Sequence, residues 1–300
     1  MQKTQKSSLH SFVHNDNTVG YLFTLPFIIG FLCFTLIPMC LSLYYSFCEY
    51  KIGSPAVWVG VQNFVDLFQD SKFGNSLLVT FQYVIIGVPM KLVFALLIAM
   101  LLTKPTKAQG FYRAVYYIPS LIGGSVAVAL VWKQLFGSRG PVITLLKALG
   151  VKGFNFFGSS AWAFFPLVLC NAWQFGSSML IFASGLKQIP KDYYEAAEID
   201  GAGVLAKFFR ITLPCLSPII LFNLIMQLIS GFMTFTQAQI ITQGGPNYAT
   251  HYIALDIYQN GFSFFRMGYA CAESWIMLLI MAGITGIIFK TSSYWTFYEN

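Results

Sequence analysis

Hydrophobic residues along this chain are grouped into six long runs that are nearly free of charge and are separated by shorter polar stretches. The runs lie near residues 20–47, 76–102, 112–135, 161–186, 212–241 and 268–290. A helix needs about 20 apolar residues to cross the roughly 30 Å of hydrocarbon in a bilayer, and each run reaches that length. Only helices and closed barrels satisfy their backbone polar groups in lipid, and the runs lack the two-residue alternation of a barrel strand. The pattern predicts an all-α fold, a polytopic membrane protein with six transmembrane helices.

The composition agrees with this prediction. Of the 300 residues, 56% are hydrophobic and only 10% are charged, so the apolar surface exceeds what one soluble core buries. The formal net charge is +7, but the basic residues are scattered among apolar stretches and form no patch flanked by aromatic residues. We therefore expect this chain to meet a lipid bilayer and no nucleic acid.

The pattern divides the chain into a polar N-terminal tail, 1–18, and a membrane domain, 19–300. The first apolar run is too long for the hydrophobic region of a signal peptide, so it is expected to remain as a span. Six spans place both termini on the same side of the membrane. Ten Lys and Arg then fall on the side of the termini and seven on the other side, which favours cytoplasmic termini.

The segment 189–204, between the fourth and fifth runs, is amphipathic and too polar to cross the bilayer. Pro190 suits the first turn of a helix, and Asp192 places a negative charge near the positive end of the helix dipole. Gly203 is suited to end the helix. The segment therefore predicts a surface helix at about 190–204 on the cytoplasmic side.

Small side chains form a stripe along this segment. At helical spacing the stripe contains Ala196, Ala197, Asp200, Gly201 and Gly203. The surface of another protein can approach such a stripe closely, which suits a docking function. The alternative is a short interfacial connector whose carboxylates are simply solvated, and the periodicity alone leaves both interpretations open.

The same segment carries a known motif. Glu195-Ala-Ala, followed by Asp200-Gly-Ala, resembles the EAA signature of bacterial ABC importer permeases. The resemblance continues in type and spacing through Phe208, Ile211, Leu213, Pro214 and Pro218. It implies the type I ABC importer permease fold, in which this segment is a coupling helix that sits in a cleft of a cytoplasmic ATPase. The docking residues implied are Tyr194, Glu195, Ala196, Ala197, Asp200, Gly201 and Ala202.

A second motif narrows the family. Thr242-Gln-Gly-Gly-Pro-Asn-Tyr-Ala-Thr250, after the fifth run, is similar to the T-x-G-G-P element of carbohydrate permeases. This element is typical of the first of two dissimilar permeases in the maltose-type branch, and Pro119, Trp132 and the terminal pattern from Trp295 to Tyr298 are similar too. The resemblance covers roughly residues 18–298.

The resemblance also implies a function and its partners. The chain is expected to be a permease subunit of an ATP-driven importer of sugars or oligosaccharides in the bacterial inner membrane, and to form half of the translocation pathway. The implied partners are a second permease subunit, a cytoplasmic ABC ATPase dimer and an extracytoplasmic sugar-binding protein. That binding protein would meet the outer loops near 48–75, 136–160 and 242–267. No cofactor is expected in this chain, because the partner ATPase binds ATP and Mg²⁺.

Polar side chains recur along the fifth run at steps of four, three, four and three residues, which is one face of a helix. They are Asn223, Gln227, Ser230, Thr234 and Gln237, and the fourth run has a shorter set, Asn171, Gln174 and Ser178. Amides that face lipid are costly, so we expect these faces to contact other helices or a water-filled path.

A sugar site needs such amides together with aromatic platforms, because sugars are rich in hydroxyls and apolar on their ring faces. The candidate platforms are Tyr83, Trp173, Phe232 and Phe235. The alternative is that the polar groups only join helices to one another and that the aromatic rings only pack.

Two charged residues fall inside predicted spans. Lys91 lies near the middle of the second, where an unpaired ammonium is expensive, and Glu273 lies in the sixth. The sequence suggests a Lys91–Glu273 pair, or a Lys91 that faces the pathway. The alternative is a long side chain that extends to the cytoplasmic interface, or misplaced span boundaries.

Motifs absent from the sequence also restrict the function. The chain has no G-x-x-x-x-G-K-[ST] phosphate loop, so it is not expected to bind or hydrolyse ATP itself. No G-x-S-x-G, H-E-x-x-H or C-x-x-C motif is present, which argues against an integral-membrane enzyme and a metal site. A secondary active transporter with a polar midplane site explains the polar faces equally well, but it leaves the block from Glu195 to Pro218 unexplained.

Overall fold

The computed structural model describes residues 16–103, 108–151 and 153–297. Most of the predicted tail, 1–18, and the Tyr298 end of the terminal pattern lie outside these residues. The described chain is predominantly helical, and its strands are β1 (Cys48–Glu49) and β2 (Val57–Trp58), which pair antiparallel. The all-α fold class is confirmed.

The described residues form two compact units. The first contains residues 16–67 and 260–275, and the second contains 68–259 and 276–297. The helices that begin in the first unit are α1 (Asp16–Phe31), α2 (Ile37–Ser46), α3 (Gln62–Gln69) and α15 (Met267–Ser292), with a π-helical turn at Leu32–Leu36. A second π-helical turn, Gln259–Ser263, begins at the last residue before this unit resumes at 260.

The second unit contains most of the membrane helices. They are α4 (Ser71–Thr103), α5 (Gln109–Ile122), α6 (Val126–Phe136), α7 (Pro141–Ala148), α8 (Phe164–Trp173), α9 (Gly176–Leu186), α10 (Lys191–Ile199), α11 (Val204–Lys207), α12 (Leu213–Cys215), α13 (Ser217–Phe232) and α14 (Ile253–Tyr258). Short 3₁₀ or π-helical turns lie at Phe156–Gly158, Phe208–Thr212 and Ala238–Thr242.

Three helical segments are by themselves long and apolar enough to cross a membrane, namely Gly20–Ser46, α4 and α15. Three bent pairs also qualify: Gln109–Ile122 with Val126–Ala148 at 95°, Phe164–Trp173 with Gly176–Leu186 at 43°, and Val204–Cys215 with Ser217–Phe232 at 68°. If each bent pair is one span, the described chain has six, in the order of the six apolar runs.

The bends and ends of these spans follow from local chemistry. Between α5 and α6, the side chain of Ser125 accepts a hydrogen bond from the amide of Val128 at 3.4 Å, so a new helix begins there. Pro218 lies in the first turn of α13, where its missing amide is tolerated, and the preceding helix stops before it.

The structure corrects the predicted extent of the fifth span. The apolar run predicts helix through residue 241, but α13 ends at Phe232. After it, the Thr234 amide donates to the Gly231 carbonyl at 3.2 Å and the Thr234 hydroxyl donates to the Ser230 carbonyl at 3.3 Å. These short local bonds replace the helical ladder.

The core of the second unit is built around α4, which packs against α8, α9 and α13. Glycines allow the close approaches. A Cβ on Gly87 of α4 would lie 3.1 Å from the Asn171 side-chain nitrogen, and a Cβ on Gly231 of α13 would lie 3.1 Å from Val84. This packing brings the polar residues of the fourth and fifth runs into the same bundle as Lys91.

Candidate functional site

The segment with the EAA-like motif forms α10 and a tight turn. The Ala202 amide donates to the Ala197 carbonyl at 2.8 Å, and the Gly201 amide donates to the Glu198 carbonyl at 3.0 Å. Gly201 has a φ of +74°. This pair of bonds with a left-handed glycine is a Schellman motif, which satisfies the last carbonyls of a helix.

The predicted end of this helix at Gly203 was therefore wrong. The helix ends at Ile199, and Gly203 has a φ of −69° at the start of α11. Of the predicted stripe, Ala196 and Ala197 are helical, whereas Asp200 and Gly201 belong to the turn. A helix often ends at a residue with a left-handed backbone, and glycine adopts that conformation more easily than other residues. Gly201 is left-handed and Gly203 is not, so Gly201 ends the helix.

Two contacts hold α10 against the chain that follows it. The Lys207 ammonium lies 2.5 Å from a carboxylate oxygen of Glu198, and the Tyr194 hydroxyl lies 2.9 Å from the hydroxyl of Thr212. Tyr194 is half-buried, so this predicted docking residue also supports the fold of the segment.

The outer surface of this segment is open. Glu195, Ala196, Asp200 and Gly201 are exposed, and a shallow groove of about 510 Å³ beside them is lined by Ala196, Ala197 and Asp200 together with Arg210, Ile211, Pro214 and Phe297. Three of the predicted docking residues, Ala196, Ala197 and Asp200, therefore line one groove. Glu195 and Gly201 are exposed outside its lining, and Tyr194 and Ala202 are half-buried.

Three large apolar residues beside the turn were not predicted as part of the site from the sequence. Ile199, Val204 and Leu205 are 87%, 83% and 73% exposed. Apolar residues in an otherwise polar loop were a sign in the sequence that these positions contact something. The predicted helix at 190–204 did not indicate whether their side chains face the protein or the outside. Exposed apolar residues that cluster in this way mark interaction sites.

The polar residues of the fifth run do not form one continuous helix face. Asn223, Gln227 and Ser230 lie on α13, whereas Thr234 and Gln237 follow its end at Phe232. Asn223 is buried, Gln227 is half-buried and Ser230 is exposed.

Two of the predicted pathway amides meet at Gly123, in the bend between α5 and α6. The Gln237 side chain donates to the Gly123 carbonyl at 3.2 Å, and the side chain of Gln174 packs against the Gly123 backbone where a Cβ would be. Gln174 also donates to the Cys170 carbonyl at 3.1 Å. The fold thus brings the fourth and fifth runs together at this bend.

The predicted aromatic platforms differ in accessibility. Tyr83 and Phe232 are buried, with ring centroids 4.7 Å from Tyr252 and 5.2 Å from Phe81 respectively. Trp173 and Phe235 are only half-buried. In the described unit, the half-buried rings are therefore the ones with surface left for another molecule.

Among the predicted pathway residues, two buried polar atoms have no hydrogen-bond partner in the described part of the chain. They are the Ser178 hydroxyl and the side-chain oxygen of Asn223. Because an unsatisfied buried polar group is costly, such atoms suit a contact with water or a solute.

Lys91 is 6% exposed, and its ammonium lies 3.5 Å from the side-chain oxygen of Asn171. Within its own unit the described residues give it no ion pair. Glu273 lies in the other unit, where its carboxylate accepts a hydrogen bond from Asn260 at 3.2 Å. The Lys91–Glu273 pair stays a prediction.

Residues 64–296 match the family described as the binding-protein-dependent transport system inner membrane component. The chain belongs to this family. As expected for an inner membrane component, its helices include segments long and apolar enough to span a membrane.

Several curated relatives resemble this inner membrane component over most of their length. The probable ABC transporter permease protein YesP of Bacillus subtilis (strain 168) is 50% identical over 292 residues, which cover 96% of this chain and 94% of YesP. AmyD of Thermoanaerobacterium thermosulfurigenes, a probable starch degradation products transport system permease protein, is 32% identical over 89% of this chain and 91% of AmyD. These relatives confirm the resemblance to carbohydrate ABC importer permeases.

The fold of this inner membrane component also matches a solved structure. A bacterial ABC transporter involved in the import of the acidic polysaccharide alginate has a chain that aligns with a TM-score of 0.76 at 24% identity, and the match covers 96% of this chain and 99% of that one. The six-span importer permease architecture is thereby confirmed.

Proposed function

We propose that this chain is a permease subunit of an ATP-driven importer for sugars or oligosaccharides, and that α10 with the Gly201 turn binds a cytoplasmic ATPase. The observation that carries this proposal is the geometry of the segment around Glu195-Ala196-Ala197. It is an exposed helix with a fixed end, flanked by three exposed apolar residues, in a chain whose sequence has no phosphate loop of its own.

The proposed contact between this subunit and the ATPase depends on complementary shape and on buried apolar surface. Ile199, Val204 and Leu205 supply apolar area, and the small side chains of Ala196 and Ala197 allow close approach. The ion pair of Glu198 with Lys207 and the contact of Tyr194 with Thr212 join α10 to the segment that leads into α13. We infer that movement of the docked segment passes to α13 by this route. Coupling of this kind requires contact free energies that differ between the two states of the importer.

The carbohydrate part of the proposal is supported by the relatives. AmyD is named for starch degradation products, and the Bacillus subtilis permease AraP, 29% identical over 96% of this chain, is named for arabinooligosaccharides. Gln227, Gln174, Gln237 and the partly exposed ring of Trp173 supply the amides and the platform that a neutral hydroxyl-rich solute requires. ATP and Mg²⁺ bind to the partner ATPase.

The complete importer needs three kinds of partner. A second permease subunit completes the pathway, an ATPase dimer supplies the free energy, and an extracytoplasmic binding protein delivers the solute. We place both termini of the chain on the cytoplasmic side with α10, because the excess of Lys and Arg lies on that side.

Affinity purification of the tagged chain from its native membrane, without crosslinking, tests this function. We expect an ABC ATPase and a second permease to copurify, and the complex to hydrolyse ATP in a vanadate-sensitive way. In proteoliposomes, solute uptake should require ATP and survive an ionophore that collapses ion gradients. Uptake that needs an ion gradient and no ATP would instead indicate a secondary active transporter.

A further inference from the structure

A buried polar network links the loop with the T-x-G-G-P-like element to the second span. His251 is 3% exposed, and its Nδ1 lies 2.9 Å from the hydroxyl of Ser76 on α4. Its Nε2 lies 3.1 Å from the side-chain oxygen of Gln259. Ser76 is fully buried and also lies 3.3 Å from a carboxylate oxygen of Asp256 on α14.

The imidazole occupies the centre of this network. A side-chain carbonyl oxygen only accepts hydrogen bonds, so the Nε2 of His251 donates to Gln259. The Nδ1 faces a hydroxyl that both donates and accepts. One aromatic ring therefore joins residues from three separate segments. Its removal would take the Nε2 contact from Gln259 and leave Asp256 as the remaining side-chain partner of the buried Ser76 hydroxyl.

The loop next to His251 is closed by its own hydrogen bonds. The Thr250 hydroxyl lies 2.7 Å from the hydroxyl of Thr242 and 2.8 Å from the carbonyl of Gly245. Gly244 has a φ of +82°, and a Cβ on it would lie 2.6 Å from the His251 ring. The loop thus rests directly on the imidazole.

Further contacts fasten the same loop to α4. The Asn75 side chain donates to the Tyr248 carbonyl at 3.1 Å, and the Lys72 ammonium lies 5.7 Å from the centre of the Tyr248 ring. The Ile253 amide, just after the loop, donates to the buried hydroxyl of Thr80 at 2.9 Å. Three successive turns of α4 therefore contact this region.

The tip of the loop is exposed and strained. Gln243, Asn247 and Tyr248 are exposed, and their φ angles are +55°, +48° and +58°. Left-handed backbone is uncommon for residues other than glycine, and it persists only where the surrounding structure imposes it. Buried anchoring beneath an exposed, strained tip is a feature of contact surfaces that must keep one shape.

We propose that His251 is a positioning residue, which holds the loop Thr242–Thr250 on the second span so that its exposed tip meets the extracytoplasmic binding protein in one orientation. The loop follows the end of α13 that is remote from α10, so it lies on the outer side of the proposed importer. The inference rests on the proposed function. It adds that the tip and the outer end of α4 move as one body during the transport cycle.

A distance measurement tests the rigid connection without any binding protein. Spin labels attached through unnatural amino acids at Ser71 and Asn247, both exposed, leave the native cysteines unchanged. In the complex with the ATPase, we expect the same narrow distance distribution without nucleotide and after trapping with ATP and vanadate. A distance that changes on trapping would overturn the proposal, because the loop and α4 would then move separately.

The variant His251→Phe tests the role of the imidazole nitrogens, since it keeps a ring of similar size. We expect it to broaden the distance distribution and to raise at least tenfold the concentration of binding protein that half-saturates ATP hydrolysis. The maximal and unstimulated rates should stay within about twofold, as expected for a change of about 1.4 kcal/mol in binding alone. His251→Asn keeps a polar group toward Ser76. Its half-saturating concentration and its distance distribution should lie between those of the wild type and those of His251→Phe.

The exposed substitution Lys290→Ala, in the last turn of α15 and outside these outer loops, serves as the control and should match the wild type. Wild-type values for His251→Phe would overturn the proposal. So would a fall in the maximal rate with an unchanged half-saturating concentration. If His251→Phe does not insert, Ser76→Ala and His251→Asn provide the same comparison. Failure of the ATPase to copurify with the wild-type chain would reject the proposed function. The distance between the labels at Ser71 and Asn247, measured in the chain alone, would still test the anchoring by His251.

Discussion

Glu198 and Lys207 form an ion pair across the turn that separates α10 from α11, with the ammonium 2.5 Å from the carboxylate oxygen. The side chain of Glu198 is 67% exposed, so the pair is partly screened by solvent and contributes at most about 1 kcal/mol. The shape of the turn therefore depends mainly on Gly201, whose left-handed backbone places the two partners within reach.

Replacing Gly201 by valine should disturb this turn. A β-branched residue with a φ near +74° costs roughly 1–2 kcal/mol, although no neighbouring atom obstructs the new Cβ. We expect Gly201→Val to reduce recovery of the ATPase with the tagged chain, while the chain itself inserts normally. Gly150→Val is the matched control, because Gly150 also has a left-handed φ of +92° and equally open space but lies in the loop after α7. Equal ATPase recovery for both variants would reject the assignment of the turn to the docking site.

The apolar residues beside the turn provide a second test. Leu205→Ser should weaken the association with the ATPase, because burial of a leucine side chain in an interface contributes about 1.5–3 kcal/mol. Leu149→Ser is the control. Leu149 and Leu205 are similarly exposed, at 72% and 73%, but Leu149 belongs to the loop after α7. The measurement is the ATPase retained after washing at increasing salt. Loss of the ATPase from both variants alike would indicate a general defect and remove Leu205 from the interface.

Gln227 is the most direct test of the pathway on α13. Gln227→Leu keeps the volume of the side chain but removes its amide, so we expect uptake to fall by about tenfold, equivalent to about 1.4 kcal/mol. The complex with the ATPase should stay intact. Met226→Leu, at the neighbouring 51% exposed position, should leave uptake unchanged. Wild-type rate and substrate preference in Gln227→Leu would remove this residue from the pathway.

Lys91→Met tests the charge inside the second span. The methionine preserves most of the apolar stem, so the change mainly removes the ammonium that lies 3.5 Å from Asn171. We expect slower uptake with the subunits still assembled, because charged residues inside spans usually serve a pathway or a partner. Unchanged uptake together with an unchanged melting temperature would leave both the pairing with Glu273 and the pathway role without support.

Close helix packing in the second unit depends on Gly176, whose Cβ position falls against the Tyr116 carbonyl. Gly176→Ala should lower the thermal stability of the purified chain, since overpacking costs typically about 1–3 kcal/mol. Gly110→Ala, where nothing lies within 4 Å of the new methyl group, should leave stability unchanged or slightly raised. If the melting curve of Gly176→Ala overlays that of the wild type, α9 and α5 can move apart at this contact at little cost in stability.

Much of the candidate docking site was predictable because it is local. The small residues, the acidic first turn and the glycine that ends α10 lie within about a dozen positions, and helix capping acts over that range. The choice between Gly201 and Gly203 was not predictable, since either glycine can end a helix. The hydrogen bonds of Ala202 and Gly201 decided it.

The polar pathway was predictable only in part. Periodicity places Asn223, Gln227 and Ser230 on one helix, but it carries no information about where that helix stops. The break after Phe232 and the bend at Gly123 reposition Gln237, whose amide bonds to a carbonyl 114 positions earlier in the chain. The four aromatic residues were equivalent candidates in the sequence. In the structure Tyr83 and Phe232 are buried, whereas Trp173 and Phe235 are half-buried.

The sequence by itself determined that this chain is a helical membrane protein with six apolar runs and a polar surface helix between the fourth and fifth, because hydropathy and capping depend on neighbours along the chain. Only the tertiary structure decided the bends of the spans, the exposed faces and the setting of His251. That histidine meets Ser76 across 175 positions of sequence. No periodicity records such a contact, since it arises from packing between distant segments.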